Sequence, residues 1–426
     1  MRRNLIPSLL LFSLILAGLA SFQSSILALA IPLALYLLFG LIFAPDKVEL
    51  GIKRVLSAER VAPNTLVTVT LSIKNNGSSL EEILLEDHIP PALSIEEGNL
   101  IHFCTLAPGE STAWTYTVSG TRGSYVFSDI KIRTSDHFAL AYHQEILKIP
   151  GQLFVLPRVP RLKNITIRPR HTRVYSGKIP ARVGGPGIDF FGVREYQTGD
   201  SLRWINWRTS ARHQQALFTN EFEQERAADV GIILDGRELS NIGSGGHSLF
   251  EYSVSAAAGL ADHFLSAGNR VGILFYGRVL LWNAPGYGNI QRERLLQALA
   301  RAKTGDSQVF TNLENLPTKL FPPNSQLVLV TPLAKGDDKV LIQLRSRGYQ
   351  IIVISPDPIS YELSSLPDDP DVKLAARVLR TERNMLLMRL KRSGLQVVDW
   401  DVNIPLDKIL KSRLGRPPAW HNATGK

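Results

Sequence analysis

The first 45 residues are almost entirely apolar. No charged residue occurs between Asn4 and Pro45, and the stretch SFQSS at 21–25 divides the block into two apolar runs. A helix needs about 20 apolar residues to cross a bilayer core that is roughly 30 Å thick, so the whole block is too long for one crossing. The pattern therefore predicts two transmembrane helices within residues 1–45, joined by a tight turn.

The charges on either side of this block predict its orientation. Arg2 and Arg3 precede the first apolar run, Lys47 and Lys53 follow the second, and the turn between the runs carries no charge. Positive charge favours the cytoplasmic side, so we expect a multi-pass protein of the cell (inner) membrane whose large body faces the cytoplasm. A cleavable signal peptide is the alternative, because Gly18-Leu19-Ala20 offers small residues for cleavage.

Residues 46–157 change to an alternation of apolar and polar positions. The run LVTVTLSI at 66–73 alternates with period two, NNGS at 75–78 supplies a turn, and similar runs follow at 114–118 and 125–132. Several short strands of this kind without a convincing helix are typical of an antiparallel sandwich. The pattern predicts an immunoglobulin-like β-sandwich module.

Residues 228–414 consist of short apolar strands separated by helical stretches. The runs VGIILD at 230–235, QLVLVT at 326–331 and YQIIVIS at 349–355 are typical of buried strands. This alternation predicts an α/β domain with a mainly parallel sheet that is covered on both faces. Ligands of such folds bind beyond the carboxyl ends of the strands, which draws attention to Asp235 at the end of the first strand.

Between these two domains lies a strongly basic connector. The chain carries a net charge of +10, and twelve Lys or Arg residues but only three acidic residues lie between Arg158 and Arg212. Such a segment suits anionic lipid, nucleic acid or an acidic protein surface. A second basic stretch, 377–392, is typical of a helix that covers a sheet and exposes a basic face. The predicted organisation is two transmembrane helices (1–45), the β-sandwich module (46–157), the basic connector (158–227), the α/β domain (228–414) and a C-terminal tail (415–426).

The connector contains the motif GVREYQTGDSLRWINWRTSARH at 192–213. Trp204, Ile205 and Trp207 alternate with polar residues, which predicts a strand-like connector with both indoles on one face. We expect Glu195 and Asp200 to form ion pairs with the surrounding arginines, so that the motif clamps neighbouring structure together. The candidate binding residues of the motif are Arg194, Glu195, Tyr196, Gly199, Asp200, Arg203, Trp207, Arg208 and Arg212.

This motif and its surroundings resemble the family called domain of unknown function fifty-eight. The resemblance covers the motif with its extension from GIDFF at 187–191, LFTNEFEQER at 217–226, and the upstream runs TRGSY, SDHFAL and FVLPR. The order of strands and helices after Ala228 also resembles a von Willebrand factor A-type domain. The resemblance implies a membrane-anchored binding or assembly factor, often encoded beside MoxR-type AAA+ ATPases.

The von Willebrand resemblance also implies a divalent cation site, which this sequence has altered. In many such domains an Asp-x-Ser-x-Ser loop joins a Thr and an Asp to hold Mg²⁺ through oxygen ligands. Here Arg237 and Leu239 occupy the two serine positions after Asp235. We expect no cofactor and no bound metal, with Asp235 pairing Arg237 instead. The residues of any degenerate site would be Asp235, Ser240 and Thr311.

The sequence observations predict a non-enzymatic binding or assembly factor that presents its von Willebrand A-like domain to a protein partner. The family resemblance implies that this partner is a MoxR-type AAA+ ATPase or its client. The sequence contains no G-x-x-x-x-G-K-[ST], H-E-x-x-H or G-x-S-x-G motif. Two alternatives stay open. One is binding of anionic lipid or nucleic acid through the segment from Arg158 to Arg212, although a membrane anchor weighs against nucleic acid. The other is a hydrolase that uses Glu195 and Asp200.

Overall fold

The computed structural model describes residues 5–42, 48–135, 142–163, 173–213, 216–243, 248–305, 313–322 and 325–414. The chain forms two compact units, Met1–Leu156 and Pro157–Lys426.

Two helices open the first unit, α1 (Leu5–Ser21) and α2 (Ser24–Ile42). Among the residues that the structure describes, no helix combines the length and the apolar character needed to cross a membrane. The apolar block is divided into two helices at Phe22, whose φ is 53°. The predicted fold class is therefore wrong in its transmembrane hairpin, and the predicted multi-pass inner-membrane localisation is wrong with it.

The rest of the first unit consists of strands in two sheets. One sheet has the order β1-β3-β7-β5 and the other β2-β9-β8-β4-β6, and every neighbouring pair is antiparallel except β2 and β9. The strands are β1 (Leu50–Leu56), β2 (Arg60–Val61), β3 (Val67–Asn75), β4 (Leu80–Asp87), β5 (Leu93–Glu97), β6 (Ile101–Leu106), β7 (Ser111–Gly120), β8 (Gly123–Ser135) and β9 (Tyr142–Val155).

Apolar residues of both sheets share one core, so the two sheets form a β-sandwich. In β3 the buried positions alternate with exposed ones, and its inward residues include Val69 and Leu71. They pack in the same cluster as Leu85 of β4 and Phe127 of β8, which belong to the other sheet. The period-two pattern of the sequence thus corresponds to one buried and one exposed face.

A buried ion pair connects the two sheets of this sandwich. The guanidinium of Arg54 on β1 contacts the carboxylate of Asp87 at the end of β4, and neither side chain is exposed. The Tyr116 hydroxyl on β7 donates a hydrogen bond to Asp87 Oδ2 (2.5 Å), and Arg54 also donates to the carbonyl of Ile149 on β9. Burial and the hydrogen bond to Asp87 raise the pKa of the Tyr116 phenol. Each member of this group therefore depends on the others for hydrogen bonding.

We predict that Asp87→Ala strongly destabilises the sandwich, because it leaves the Arg54 guanidinium buried without its counter-charge. Removal of one partner of a buried pair typically costs about 3–5 kcal/mol of unfolding free energy. Denaturant unfolding, monitored by hydrogen exchange of the backbone amides in β3 and β8, measures the loss of unfolding free energy. The matched control is Glu86→Ala, the next residue, whose ion pair with Lys131 is partly exposed (3.4 Å). Equal effects of the two substitutions would contradict the role of the buried pair.

The second unit contains a two-stranded antiparallel ribbon and a six-stranded sheet. The ribbon pairs β10 (Arg173–Glu195) with β11 (Phe218–Ala227). The sheet has the order β14-β13-β12-β15-β16-β17. Its strands are β12 (Asp229–Gly236), β13 (Arg270–Gly277), β14 (Leu281–Gly286), β15 (Gln326–Val330), β16 (Gln350–Pro356) and β17 (Gln396–Trp400). The helices of this unit are α3 (Trp207–Ser210), α4 (Leu249–Ser266), α5 (Gly288–Arg301), α6 (Asp337–Ser346), α7 (Pro358–Leu363), α8 (Pro370–Arg392) and α9 (Leu406–Leu414).

This sheet is mainly parallel. All neighbouring pairs run parallel except the edge pair β13 and β14. Every residue of β12 after Asp229 is buried, which requires that both faces of the sheet are covered. The carboxyl ends of β12 and β15 lie side by side, because these two strands are parallel neighbours. The first candidate site lies at this edge.

Candidate functional site

Asp235, near the carboxyl end of β12, is completely buried and holds two side chains around it. The guanidinium of Arg237 donates to it through Nε to Oδ1 (2.9 Å) and through Nη2 to Oδ2 (2.7 Å). Thr331, which follows β15, donates its hydroxyl to Asp235 Oδ2 (2.6 Å). The predicted pairing of Asp235 with Arg237 is confirmed.

Arg237 also binds a second carboxylate, that of Asp337 at the first position of α6. Nη1 donates to Oδ1 (3.1 Å) and Nη2 to Oδ2 (2.8 Å), while the backbone N–H of Ala334 donates to the same Oδ2 (2.8 Å). Arg237 is only 2% exposed. Burial alone would lower the pKa of its guanidinium, but the hydrogen bonds to Asp235 and Asp337 outweigh burial and raise it. Arg237 therefore stays charged between two buried carboxylates.

We call Asp235, Arg237, Thr331 and Asp337 the Arg237 cluster. Its cation is an internal guanidinium, held by oxygen atoms of the kind that Mg²⁺ prefers. Ser240 is buried, but its hydroxyl finds no hydrogen-bond partner within the described part of the chain. Thr311 lies outside the described residues. Among those residues, no group of three or more His, Cys, Asp or Glu is placed to hold a metal ion, and the absence of a bound metal stays a prediction.

We predict that Arg237→Ser creates a divalent-cation site. The substitution leaves the oxygens of Asp235, Thr331 and Asp337 around an emptied space and brings two buried carboxylates together without a counter-charge, which destabilises the fold. Millimolar Mg²⁺ should then raise the thermal unfolding temperature of this variant and leave that of the wild type unchanged.

The control for this experiment is Arg237→Met, which removes the charge but fills much of the space. Its unfolding temperature should respond to Mg²⁺ less than that of Arg237→Ser. Stabilisation of the wild type by Mg²⁺ would show that the guanidinium does not occupy the cation position.

The second candidate site is the motif at 192–213, which begins on β10. Arg194 holds Asp200 with a bidentate pair of hydrogen bonds, both 2.8 Å long, and its Nε lies 3.4 Å from Glu221 on β11. The hydrogen bond from Arg194, and then that from the backbone N–H of Gln197, lower the pKa of Asp200. Gly199 has a φ of 111°, which favours glycine, and makes the turn that returns Asp200 to Arg194.

Glu195, the other acidic residue of the motif, does not share the ion pair of Arg194 with Asp200. Glu195 is exposed, and its backbone carbonyl, not its carboxylate, accepts a hydrogen bond from Arg194 (3.0 Å). Glu221, a residue outside the predicted set, supplies the second carboxylate for Arg194. Tyr196 is half-buried, and its hydroxyl donates to the carbonyl of Asp200 (3.3 Å). Of the predicted residues, the structure thus brings Arg194, Tyr196 and Asp200 together.

The two tryptophans of the motif do not share one strand face. They lie in two short helical turns, where Trp204 packs against Phe222 (ring centroids 5.6 Å apart) and Trp207 is 68% exposed. The predicted strand-like connector is wrong here. The Asn206 side chain accepts a hydrogen bond from the Thr209 backbone N–H (3.0 Å) and caps α3. Such local bonds between side chain and backbone compete with strand formation.

Short contacts fasten this helical segment to β11. The backbone N–H of Phe218 donates to Ser210 Oγ (2.9 Å), the Asn206 N–H donates to the carbonyl of Phe218 (2.8 Å), and Ile205 forms a bridge with Thr219. Two large apolar and three basic side chains of this segment are exposed. We call them the Trp207 surface: Leu202, Arg203, Trp207, Arg208 and Arg212.

Both candidate sites lie in a segment that is shared with other proteins. Residues 192–394 match the family described as Protein of unknown function DUF58. The DUF58 segment begins at the first residue of the motif and ends just after α8, so it contains the Arg194–Asp200 pair, the Trp207 surface and the Arg237 cluster. The predicted resemblance to this family is confirmed over these residues.

A curated relative shares about a third of its length with this chain. The uncharacterized protein YeaD of Bacillus subtilis (strain 168) is 30% identical over 158 residues, which cover 37% of this chain and 37% of YeaD.

Similarities to solved structures are weak. A FixG-related protein from Vibrio parahaemolyticus has a TM-score of 0.19 at 12% identity and covers 25% of this chain and 95% of that protein. Proximal thread matrix protein 1 from the mussel byssus has a TM-score of 0.29 at 12% identity and covers 44% of this chain and 46% of that one. TM-scores this low carry no inference about the DUF58 segment.

We predict that Arg194→Ala lowers the thermal unfolding temperature, whereas Arg203→Ala leaves it unchanged, because Arg194 fixes the loop and Arg203 is exposed. The Arg194–Asp200 pair holds the pKa of Asp200 below its ordinary value. The stability that this pair adds to the fold is therefore fully present above about pH 4 and is lost as the pH falls through the lowered pKa. Thermal unfolding of the wild type and of both variants at neutral and at strongly acidic pH measures the stability that the pair adds. A larger effect of Arg203→Ala at neutral pH would contradict it.

Proposed function

We propose that this protein is a non-enzymatic binding or assembly factor that presents the Trp207 surface to a protein partner. The observation that carries this proposal is that Trp207 is 68% exposed on a segment whose backbone is fastened to β11. Tryptophan and arginine are enriched among the residues that dominate the binding energy of interfaces. A backbone that is already ordered also lowers the entropy cost of binding.

The partner in this proposal is a MoxR-type AAA+ ATPase or its client. The second unit is proposed to be a von Willebrand A-like domain, which its mainly parallel sheet and the buried Asp235 at the carboxyl end of β12 support. In many such domains the partner completes the shell of a bound metal. Here the donors of Arg237 are already engaged by Asp235 and Asp337, so partner contact has to come from another surface.

The contacts of Asp200 weigh against the hydrolase alternative. Its two carboxylate oxygens accept hydrogen bonds from Arg194 and Gln197, and these bonds lower its pKa. A general acid near neutral pH needs a pKa close to the operating pH. Asp200 therefore supports the structure of the loop and is a poor proton donor.

A second candidate function is the binding of nucleic acid or anionic lipid. The exposed arginines at 203, 208 and 212 flank the exposed Trp207 along the chain, which suits contact with phosphate together with base stacking. Such binding falls steeply as salt rises. Binding to a protein through the Trp207 indole should depend on salt much less.

The test uses the purified full chain and the purified MoxR-type AAA+ ATPase of the same organism, with binding followed by interferometry. We expect binding by the wild type and a loss of at least tenfold in affinity for Trp207→Ala, because a central interface tryptophan typically contributes about 2 kcal/mol or more. The matched control is Ile290→Ala, which also truncates a strongly exposed apolar side chain (71% exposed), and its affinity should equal that of the wild type.

Two results would contradict the proposal. The first is that the ATPase does not bind the wild-type chain and that Trp207→Ala weakens the binding of no other protein to this chain. The proposed partner and the proposed surface would then both be wrong. If single-stranded nucleic acid or phosphatidylserine vesicles bind in a steeply salt-dependent way that Trp207→Ala abolishes, the second candidate function replaces the first.

A further inference from the structure

Helix α8 (Pro370–Arg392) has one face that packs on the rest of the second unit. Its buried residues are Ala376, Leu387 and Leu390. The sequence predicts a sheet-covering helix whose remaining face is basic and solvated. The structure contains the packing face, but the opposite face also carries large apolar side chains.

These apolar side chains repeat at a regular interval. Leu374, Val378, Met385 and Met388 are each at least 50% exposed, and the exposed Thr381 completes the series. Successive members are separated by four, three, four and three residues, which is the heptad spacing of a helix that packs against another helix. We call these five residues the α8 seam.

A groove lies beside the α8 seam and shares Met385 with it. It has a volume of about 630 Å³, and its apolar lining includes Leu333, Ile359, Leu379 and Leu386. Charged residues of both signs line the rest of it: Lys335, Lys339, Arg383 and Arg389, with Asp338, Glu362 and Glu382. Leu333 has a φ of 65°, an uncommon backbone conformation for a residue with a branched side chain. The seam supplies an exposed apolar stripe along α8, and the groove beside Met385 supplies a recess next to it; an amphipathic helix binds to such a combination through its apolar face.

The charge of α8 selects among possible occupants. The helix contains seven Lys or Arg and two acidic residues. Lys373, Arg383 and Arg389 pair with carboxylates of the second unit, whereas Arg377 and Lys391 flank the seam as exposed residues. A second copy of the chain would bring two positively charged helices together across a symmetric interface, which is repulsive. A flat bilayer does not enter a groove. We propose that the α8 seam and its groove bind an acidic amphipathic helix of a partner protein.

This proposal concerns residues different from those of the Trp207 surface and does not depend on it. The probe is a fluorescein-labelled peptide of 21 residues, designed as three heptads with Leu at positions a and d and Glu at e and g. Fluorescence anisotropy with the full chain measures its affinity. We expect the peptide to bind, and a peptide of the same composition with the leucines out of heptad register to bind at least tenfold more weakly.

Two variants locate the binding site. Val378→Ser combined with Met385→Ser should weaken peptide binding at least tenfold without changing the unfolding temperature, because both side chains are exposed. Arg377→Glu combined with Lys391→Glu should reverse the preference, so that a peptide with Lys at e and g binds better than the acidic one. Trp207→Ala should leave peptide binding unchanged, which separates this site from the proposed ATPase surface.

Three results would overturn the proposal. The first is equal binding of the heptad and shuffled peptides, or no binding of either. The second is a dimer of the full chain in analytical ultracentrifugation that disappears in Val378→Ser/Met385→Ser, which would make a second copy the occupant. The third is binding to phosphatidylserine vesicles that the same double variant abolishes, which would assign the seam to a lipid surface.

Discussion

The structure around the carboxyl edge of the main sheet depends on one guanidinium. Arg237 donates to Asp235 on β12 and to Asp337 at the start of α6, while Thr331 after β15 donates to the same Asp235. One side chain thus fixes the end of a strand and the start of a helix against each other. Two buried carboxylates would repel each other without it, so the geometry of this edge requires a cation, and the chain supplies its own.

The Arg194–Asp200 pair uses the same bidentate geometry for a different purpose. It is partly exposed, and it closes a short loop through the turn at Gly199. Water screens such a pair, so its main effect is on the direction of the backbone that follows. Trp207 and its neighbouring arginines can be exposed without being mobile, because contacts with β11 hold the backbone beneath them.

Sequence reasoning succeeded where the partners are close along the chain. Asp235 and Arg237 are two residues apart, so their pairing could be predicted from the sequence alone. Asp337 was missed because it lies 100 residues from Arg237, and only the parallel order of β12 and β15 brings the two together. The alternation around Trp204 and Trp207 predicted a strand where the structure has helical turns. A pattern of apolar and polar positions contains no information about the helix cap that the Asn206 side chain forms. The apolar N-terminal block indicated two helices, which the structure contains, but among the described residues neither has the character of a membrane-spanning helix.

The buried Arg54–Asp87 pair has a consequence for how the sandwich assembles. Side chains alternate between the two faces of a strand, so a slip of β4 by one residue against β8 would turn Asp87 outward. Arg54 would then be buried without a carboxylate, and Tyr116 would lose its acceptor. An apolar core tolerates such a slip wherever the residues have similar sizes, but a lone buried charge costs several kcal/mol. The pair therefore favours the observed register of β4 over a slipped one.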